Sequence, residues 1–447
     1  MGEAFYRRGE YAEAMEYLKR ALVYFGRPTL PTSQSKVRLG ILSGIGIQTC
    51  HRMFPRWLVK KIGEPADLTA EEAARTYEIV MSIEALTAPV AFLGTALASL
   101  NYCERKGYGP GVALNYACLG FLGFLLSFTR LERFFLKRAV ALSEEIGLPA
   151  ALIPAHADST IADFHEGRLH SAIDHASRAR DVCRKAGYPN LLFWTIATIH
   201  AAVARVYLGD FDTALSLASE LVQMGEDTND PFFGSRWTWA LNETLDRKGR
   251  LEDCIANLHK VMEVFESIQF PDGKVLAGYE LSRSYLRLGE IDKSLTALTQ
   301  SDLYRIKHDA KLYVHFVLLC YFRLYLAAAE GADGEERKEW LKKAKRARRK
   351  ALHWAHLRRI ILPEATRLQG VYDWFTGRQD LAQKHWQRSL DLAGEMGMRY
   401  ELAMTRLEMG KRLNERTHLE QAEAIFAAIG AEWDLAETRR LLERVQA

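Results

Sequence analysis

The side chains in this 447-residue sequence best suited to chemistry are arginines and aromatics at fixed distances before glycines. Counting back 6, 10 and 13 positions from Gly249 reaches Glu243, Trp239 and Arg236. The same count reaches Arg283, Tyr279 and Leu276 from Gly289, and Val371, Arg367 and Glu364 from Gly377. If each glycine ends a helix, these positions share one face of it. The chemistry on offer is recognition rather than bond making. A guanidinium gives a carboxylate or phosphate two parallel hydrogen bonds, and Trp and Tyr bring large contact area at small entropic cost. Arg236, Trp239, Glu243, Tyr279, Arg283 and Arg367 are therefore expected to line a groove for a protein or peptide, or for a small anionic ligand. The competing expectation is that Trp239 and Tyr279 are core between repeats.

No catalytic motif accompanies them. The sequence has no G-x-x-x-x-G-K-[ST], no H-E-x-x-H and no G-x-S-x-G. LGILSGIG at 39–46 lacks the G-x-G-x-x-G order. Among 13 histidines, His165/His170 and His353/His356 are near neighbours, but not at the i, i+4 spacing of a helical metal pair. Pairs such as Glu71/Glu72 and Glu144/Glu145 read as solvated faces of amphipathic helices. The chain is expected to be no enzyme, with no cofactor and no metal. Six scattered cysteines without a C-x-x-C pair argue against a zinc site or a disulfide framework and fit a reducing, cytoplasmic setting. A net charge of +4 is too mild to imply nucleic acid. The strongest local charge is at 337–359, where eleven Lys or Arg face the single Glu339, with Trp340 and Trp354 among them. A helix of this kind could serve RNA, anionic lipid or an acidic partner. The favoured reading is a solvated helix with Ala344 and Ala347 turned inward, so neither nucleic acid nor a membrane is expected as partner.

The elements that must position these residues repeat. Gly209-Asp-Phe211-x-x-Ala214 is matched by the segments opening at Gly9, Gly167, Gly249, Gly289 and Gly377. The gaps from 167 through 209 and 249 to 289 are 42, 40 and 40 residues. Pro110, Pro149, Pro189, Pro231 and Pro271 keep the same beat, at intervals of 39, 40, 42 and 40. Proline is tolerated in the first turn of a helix, and glycine suits the left-handed exit from one. One unit thus reads as a Pro start, a helix of about 16 residues, a Gly turn and a second helix, which is tetratricopeptide logic with the period stretched from 34 to about 40. The small residue five positions after each glycine lets the two helices approach. The fold class expected is an all-α tetratricopeptide-like superhelical solenoid of roughly 20 helices.

Three segments are expected: a partial first repeat at 1–25, an irregular insertion or linker at 26–69, and the repeat array at 70–447. VALNYACLGFLGFLLSF at 112–128 is at the short limit for a membrane span. It is expected to be a buried hairpin helix, because the repeat register runs through it.

HRMFPRWLV (51–59), AARTYEIV (73–80) and TALASLNYCERKGYGPGVALNYACLGFLGFL (95–125) stand in an order that resembles bacterial signalling proteins. Those proteins join a class III adenylyl cyclase or a protein kinase to a STAND-type, AAA-like ATPase, followed by a long tetratricopeptide-like region. The resemblance covers about residues 35–330 and lies in that last region. No cyclase, kinase or ATPase module is present here, so the resemblance implies a regulatory or scaffolding region and no activity. The chain opens inside a repeat at Gly9, which makes a fragment of a longer protein, or a stand-alone descendant, the expectation. The expected function is a non-catalytic sensor or protein-interaction module of a signalling ATPase or cyclase-type protein. The alternative is a stand-alone RNA-, lipid- or small-ligand-binding repeat protein.

Overall fold

Proline opens helices and glycine closes them where the spacing asked for it. Pro110 and Pro271 lie in the first turn of their helices and Pro149 is the first residue of its own. Gly167, Gly209, Gly249, Gly289 and Gly377 all sit in the left-handed region between helices. The computed structural model describes residues 1–7, 10–26, 33–62, 68–187, 191–228, 238–267 and 270–446. Gly9, Pro189, Pro231 and Arg236 lie outside the described residues.

The fold is all-α and tetratricopeptide-like, with 23 α-helices and no strand among the described residues. The chain divides into two compact units, 1–162 with 175–197, and 163–174 with 198–447. Helices wholly in the first unit are Gly2–Arg7 (α1), Tyr11–Tyr24 (α2), Gln34–Met53 (α3), Pro55–Leu58 (α4), Leu68–Thr87 (α5), Pro89–Lys106 (α6), Gly109–Leu125 (α7) and Thr129–Ile146 (α8). Pro149–His165 (α9), Leu169–Lys185 (α10) and Leu191–Leu208 (α11) contribute residues to both. The second unit continues with Phe211–Thr228 (α12), Thr238–Lys248 (α13), Leu251–Ser267 (α14), Pro271–Arg287 (α15), Ile291–Lys307 (α16), Val314–Gly331 (α17) and Gly334–Leu357 (α18). A short 3-10 turn at Arg359–Ile361 leads to Leu362–Phe375 (α19), Gln379–Met396 (α20), Arg399–Leu413 (α21), Arg416–Ile429 (α22) and Glu432–Gln446 (α23).

Hairpin packing follows from the small residue after each turn. Ala172, Ala214, Cys254, Ser294 and Ala382 are completely buried. A second close approach occurs on the first helix of a pair. A Cβ on Gly370 would stand 2.4 Å from Nε1 of Trp386, which itself donates to the Arg367 carbonyl at 3.2 Å. α7 is buried along nearly all its length, as expected. α11 and α17 are long and apolar enough to cross a membrane, and most of each is buried inside the protein. In α18, Ala344 and Ala347 face inward as expected, joined by Ala351 and Ala355.

The segment 26–69 departs from the irregular insertion expected of it. Its described residues carry α3 and α4, and one glycine of the LGILSGIG run serves packing. A Cβ on Gly44 would lie 2.9 Å from Cβ of Leu97, so α3 can press against α6. Gln48 then donates to Asn101 Oδ1 (2.7 Å) and to Glu104 Oε2 (2.6 Å), and His51 Nδ1 shares that carboxylate at 2.6 Å.

Within the second unit the chain returns on itself. Val206, Phe211 and Ala214 share one apolar cluster with Tyr400, Leu407, Phe426 and Ile429. The turn at Gly249 has φ of +82° and backs directly onto α23, where a Cβ would meet Cβ of Trp433 at 2.4 Å. The late helices therefore fold over the inner faces of the early ones, and the groove expected from the repeat is a partly open cavity.

Trp239 is corrected from groove to core. It is 2% exposed, with ring centroids 5.7 Å from Phe164, 5.6 Å from His200 and 5.4 Å from Tyr313. Large aromatics at this spacing pack edge to face and carry much of a core's energy. Trp239→Ala is expected to cost about 3–5 kcal/mol of unfolding free energy, read by urea denaturation.

The same cluster buries His165 and His315, centroids 5.0 Å apart. Neither ring nitrogen of His315 has a hydrogen-bond partner. Burial, then the neighbouring Arg358, pushes His315 well below its ordinary value of 6.5; for His165 the causes are burial, then His315. Both stay neutral in the fold while the unfolded chain takes up protons below about pH 6.5. Stability is complete above that pH and falls below it, by roughly 1.4 kcal/mol per pH unit for each group. Buried carboxyls with raised values, such as Glu280 and Glu401, move the total the other way, so a difference measurement isolates the histidine. Between pH 7 and 5, His315→Phe is expected to lose less stability than the parent; parallel stability curves would overturn the assignment.

Candidate functional site

Of the residues expected to bind, Glu243, Tyr279, Arg283 and Arg367 are brought together at one place in the second unit. The place is a cavity of about 240 Å³. Tyr279, Arg283 and Arg367 line it, while Glu243 lies beneath the lining and is completely buried. Sequence reasoning did not single out Tyr207, Asp246, Arg247, Arg287, Arg323 or Tyr400, which also line it. A signal for three of them was available, since Tyr207, Arg247 and Arg287 each stand two positions before a turn glycine.

The first helices of successive hairpins, α13, α15, α17, α19 and α21, supply the charges. Their spacing of about 40 residues sets equivalent positions side by side. Arg283 donates to Glu243 Oε1 at 2.8 Å and to Tyr279 Oη at 2.9 Å, with its Nε 3.1 Å from Asp246 Oδ2. Arg287 donates to the Asp246 carbonyl at 2.6 Å and to Asp434 Oδ2 at 2.8 Å. Tyr400 Oη donates to the same Asp434 oxygen at 2.9 Å. Arg323 Nε donates to Glu364 at 2.7 Å, and Arg367 Nε to Glu401 at 3.3 Å. Arg247 is held between two rings, 4.3 Å from the centroid of Tyr207 and 4.7 Å from that of Tyr400.

Charge compensation is tight but uneven. Burial alone would raise Asp246, yet Arg283 and Arg287 override it and hold the carboxyl below its ordinary value. Glu364 is lowered in the same way, burial being outweighed by Arg323 and Arg367. Burial prevails at Glu401 against Arg367, and at Asp434 against Arg287, so both are raised. Burial also raises Tyr207, Tyr279 and Tyr400, which remain neutral phenols.

Two guanidinium nitrogens have no acceptor in this network, Nη1 of Arg247 and Nη2 of Arg283. Buried donors without acceptors are costly, and both belong to side chains that line the cavity. The walls add Leu326, Leu368, Val371 and Met404, with Trp433 at the edge. Among the described residues no group of His, Cys, Asp and Glu has the geometry to hold a metal. The basic stretch 337–359 falls mainly on α18, which contributes nothing to the cavity lining.

No protein-family model and no curated protein matches the chain. Solved structures do share the fold. A Rap protein complexed with competence and sporulation factor is similar at 12% identity over 91% of this chain and 100% of that one, with a TM-score of 0.52. A STAND protein with a tetratricopeptide repeat sensor from Pyrococcus horikoshii is similar at 15% identity over 97% of this chain and 67% of that one, with a TM-score of 0.46.

Glu243 is the keystone of the floor, since Arg247 Nε also lies 3.3 Å from it. Removing one partner of a buried ion pair leaves the other uncompensated, at a cost of about 3–5 kcal/mol. Glu243→Ala is expected to destabilise by that amount in urea unfolding. Adding Arg283→Met to it is expected to recover part of the loss, a coupling that a double-mutant cycle measures.

Proposed function

We propose that the chain is a non-catalytic binding and regulatory module, a sensor or interaction scaffold that acts on a signalling ATPase or cyclase-type protein. Its occupant is a peptide or protein segment that presents a carboxylate. The observation that carries this reading is a partly open cavity with tyrosine and aliphatic walls, lined by Arg247 and Arg283, each of which keeps a buried guanidinium nitrogen without an acceptor. Arg247 and Arg283 offer a carboxylate of the occupant guanidinium donors. Its remaining polar groups meet a lining of both signs, and its apolar portion meets Leu326, Leu368 and Val371.

Charge balance distinguishes this occupant from a phosphate chain. Five lining arginines (247, 283, 287, 323, 367) are matched by six lining carboxyls (Asp246, Glu330, Glu364, Glu401, Glu408, Asp434). Nucleic-acid sites depend on uncompensated cations, and a balanced lining favours an occupant carrying both donors and acceptors. The Rap protein of similar fold is complexed with competence and sporulation factor, which supports reading the fold as one that can hold another molecule.

The test keeps the ion network intact. Ala327 lines the cavity and is half-buried, so Ala327→Trp fills the space without unpairing a charge. A panel of short peptides with free or amidated C-termini is titrated against both proteins by calorimetry. Free-acid peptides are expected to bind the parent, with affinity falling about tenfold or more on Ala327→Trp, equivalent to about 1.4 kcal/mol. Equal binding of amidated and free peptides would remove the carboxylate from the reading. Binding that Ala327→Trp leaves unchanged would remove the cavity from it.

A further inference from the structure

α3 is built the wrong way round for a helix at a protein surface. Its inward face carries Val37, Gly44, Gln48 and His51, of which Gln48 and His51 are polar and hydrogen-bonded as described above. Its outward face carries Leu39, Leu42, Ile45 and Met53, all exposed. At 100° per residue these four span about a third of the helix circumference, opposite the buried set. α4 continues the surface with Phe54 and Trp57, their rings stacked at 6.4 Å. Leu42 is 67% exposed and Trp57 86% exposed. Contiguous apolar surface of this kind marks an interaction site.

The charge around this face has one sign. From Ser33 to Ile62 the sequence has no Asp or Glu, and it has six cations: Lys36, Arg38, Arg52, Arg56, Lys60 and Lys61. All six are exposed. The face extends to the start of α8 through Phe134, which is itself exposed. Arg52 lies 6.0 Å and Arg138 5.3 Å from the centroid of its ring. Leu131 is exposed beside it, and Glu132, the acidic residue nearest this extension, is completely buried.

We propose that this face of the first unit, α3, α4 and the start of α8, docks the protein peripherally on an anionic bilayer surface. Apolar side chains enter the boundary of headgroups and acyl chains, Trp57 sits at the interface where tryptophan is favoured, and the rim of cations meets the anionic headgroups. α3 lies along the surface and spans nothing. The pattern suits a bilayer better than a second copy of the chain. Two copies meeting through this face would bring six cations against six, with no acidic residue from Ser33 to Ile62 to compensate them. The expectation that no membrane is a partner rested on the basic stretch 337–359 and on the apolar stretch 112–128, and neither bears on this face. The proposal is independent of the cavity in the second unit.

The experiment is vesicle flotation of the full chain, using phosphatidylcholine alone and phosphatidylcholine mixed with phosphatidylglycerol. Binding to the anionic vesicles is expected to exceed binding to the neutral ones by about tenfold or more, and to weaken as salt shortens the Debye length. Leu42→Asp with Trp57→Ser, and separately Arg56→Glu with Lys61→Glu, are each expected to reduce binding by about tenfold or more. All four side chains are exposed, so melting temperature is expected to hold. Arg346→Glu with Arg349→Glu, on α18, is the control and is expected to leave binding unchanged. Three results would each overturn the proposal: no flotation with anionic vesicles at low salt, loss of flotation with the α18 pair alone, or a dimer in solution that Leu42→Asp dissociates in a protein that does not float.

Discussion

Buried charge is the constraint on which the second unit depends. Ion pairs join residues one repeat apart: Arg283 to Glu243, Arg287 to Asp246, Arg323 to Glu364 and Arg367 to Glu401. Each pair crosses from the first helix of one hairpin to the first helix of a neighbouring one. Such pairs contribute less to net stability than their number suggests, because desolvation opposes the attraction. Their effect is on register. A helix displaced by one residue would leave several guanidiniums facing no carboxylate, so the network allows one alignment of α13, α15, α17, α19 and α21.

The same network makes the cavity. Arginines and carboxyls of this bulk hold the inner helix faces apart, while α21 to α23 return and close over them through Tyr400 and Asp434. Apolar packing alone would collapse such a space, since a dry void forfeits dispersion contacts. Polar groups prop it open, and two of their donors keep no acceptor. Binding capacity and fold specificity thus draw on the same side chains, with Glu243 buried beneath the lining and Arg283 paired to it.

The first unit solves a different problem. Here glycine at 44 lets α3 approach α6 and hides a polar face of α3, in which Gln48 and His51 share the Glu104 carboxylate. The apolar residues of α3 are left outside. An inverted helix of this kind is tolerated because Gln48 and His51 on its buried face are hydrogen-bonded, and it leaves Leu39, Leu42 and Ile45 exposed.

What the sequence by itself determined is periodic. The glycine and proline beat near 40 residues, and the small residue after each turn, specified helical hairpins, because left-handed turns and close helix approach admit few residue types. Nine counted positions also reached toward the site, and six of them meet at the cavity: Glu243, Tyr279, Arg283, Glu364, Arg367 and Val371. Tertiary structure alone decided the rest. Trp239 shares its helix with Glu243 and Arg247, but its orientation depends on Phe164, His200 and Tyr313 from other hairpins, so local counting left groove and core both open. The place of α3 was hidden because the close approach of Gly44 to Leu97 joins residues far apart along the chain. Asp434 and Tyr400 joined the site because the chain curls back within the unit, and helix-to-helix rotation accumulated over several hairpins is a sum of packing details that no short stretch of residues encodes.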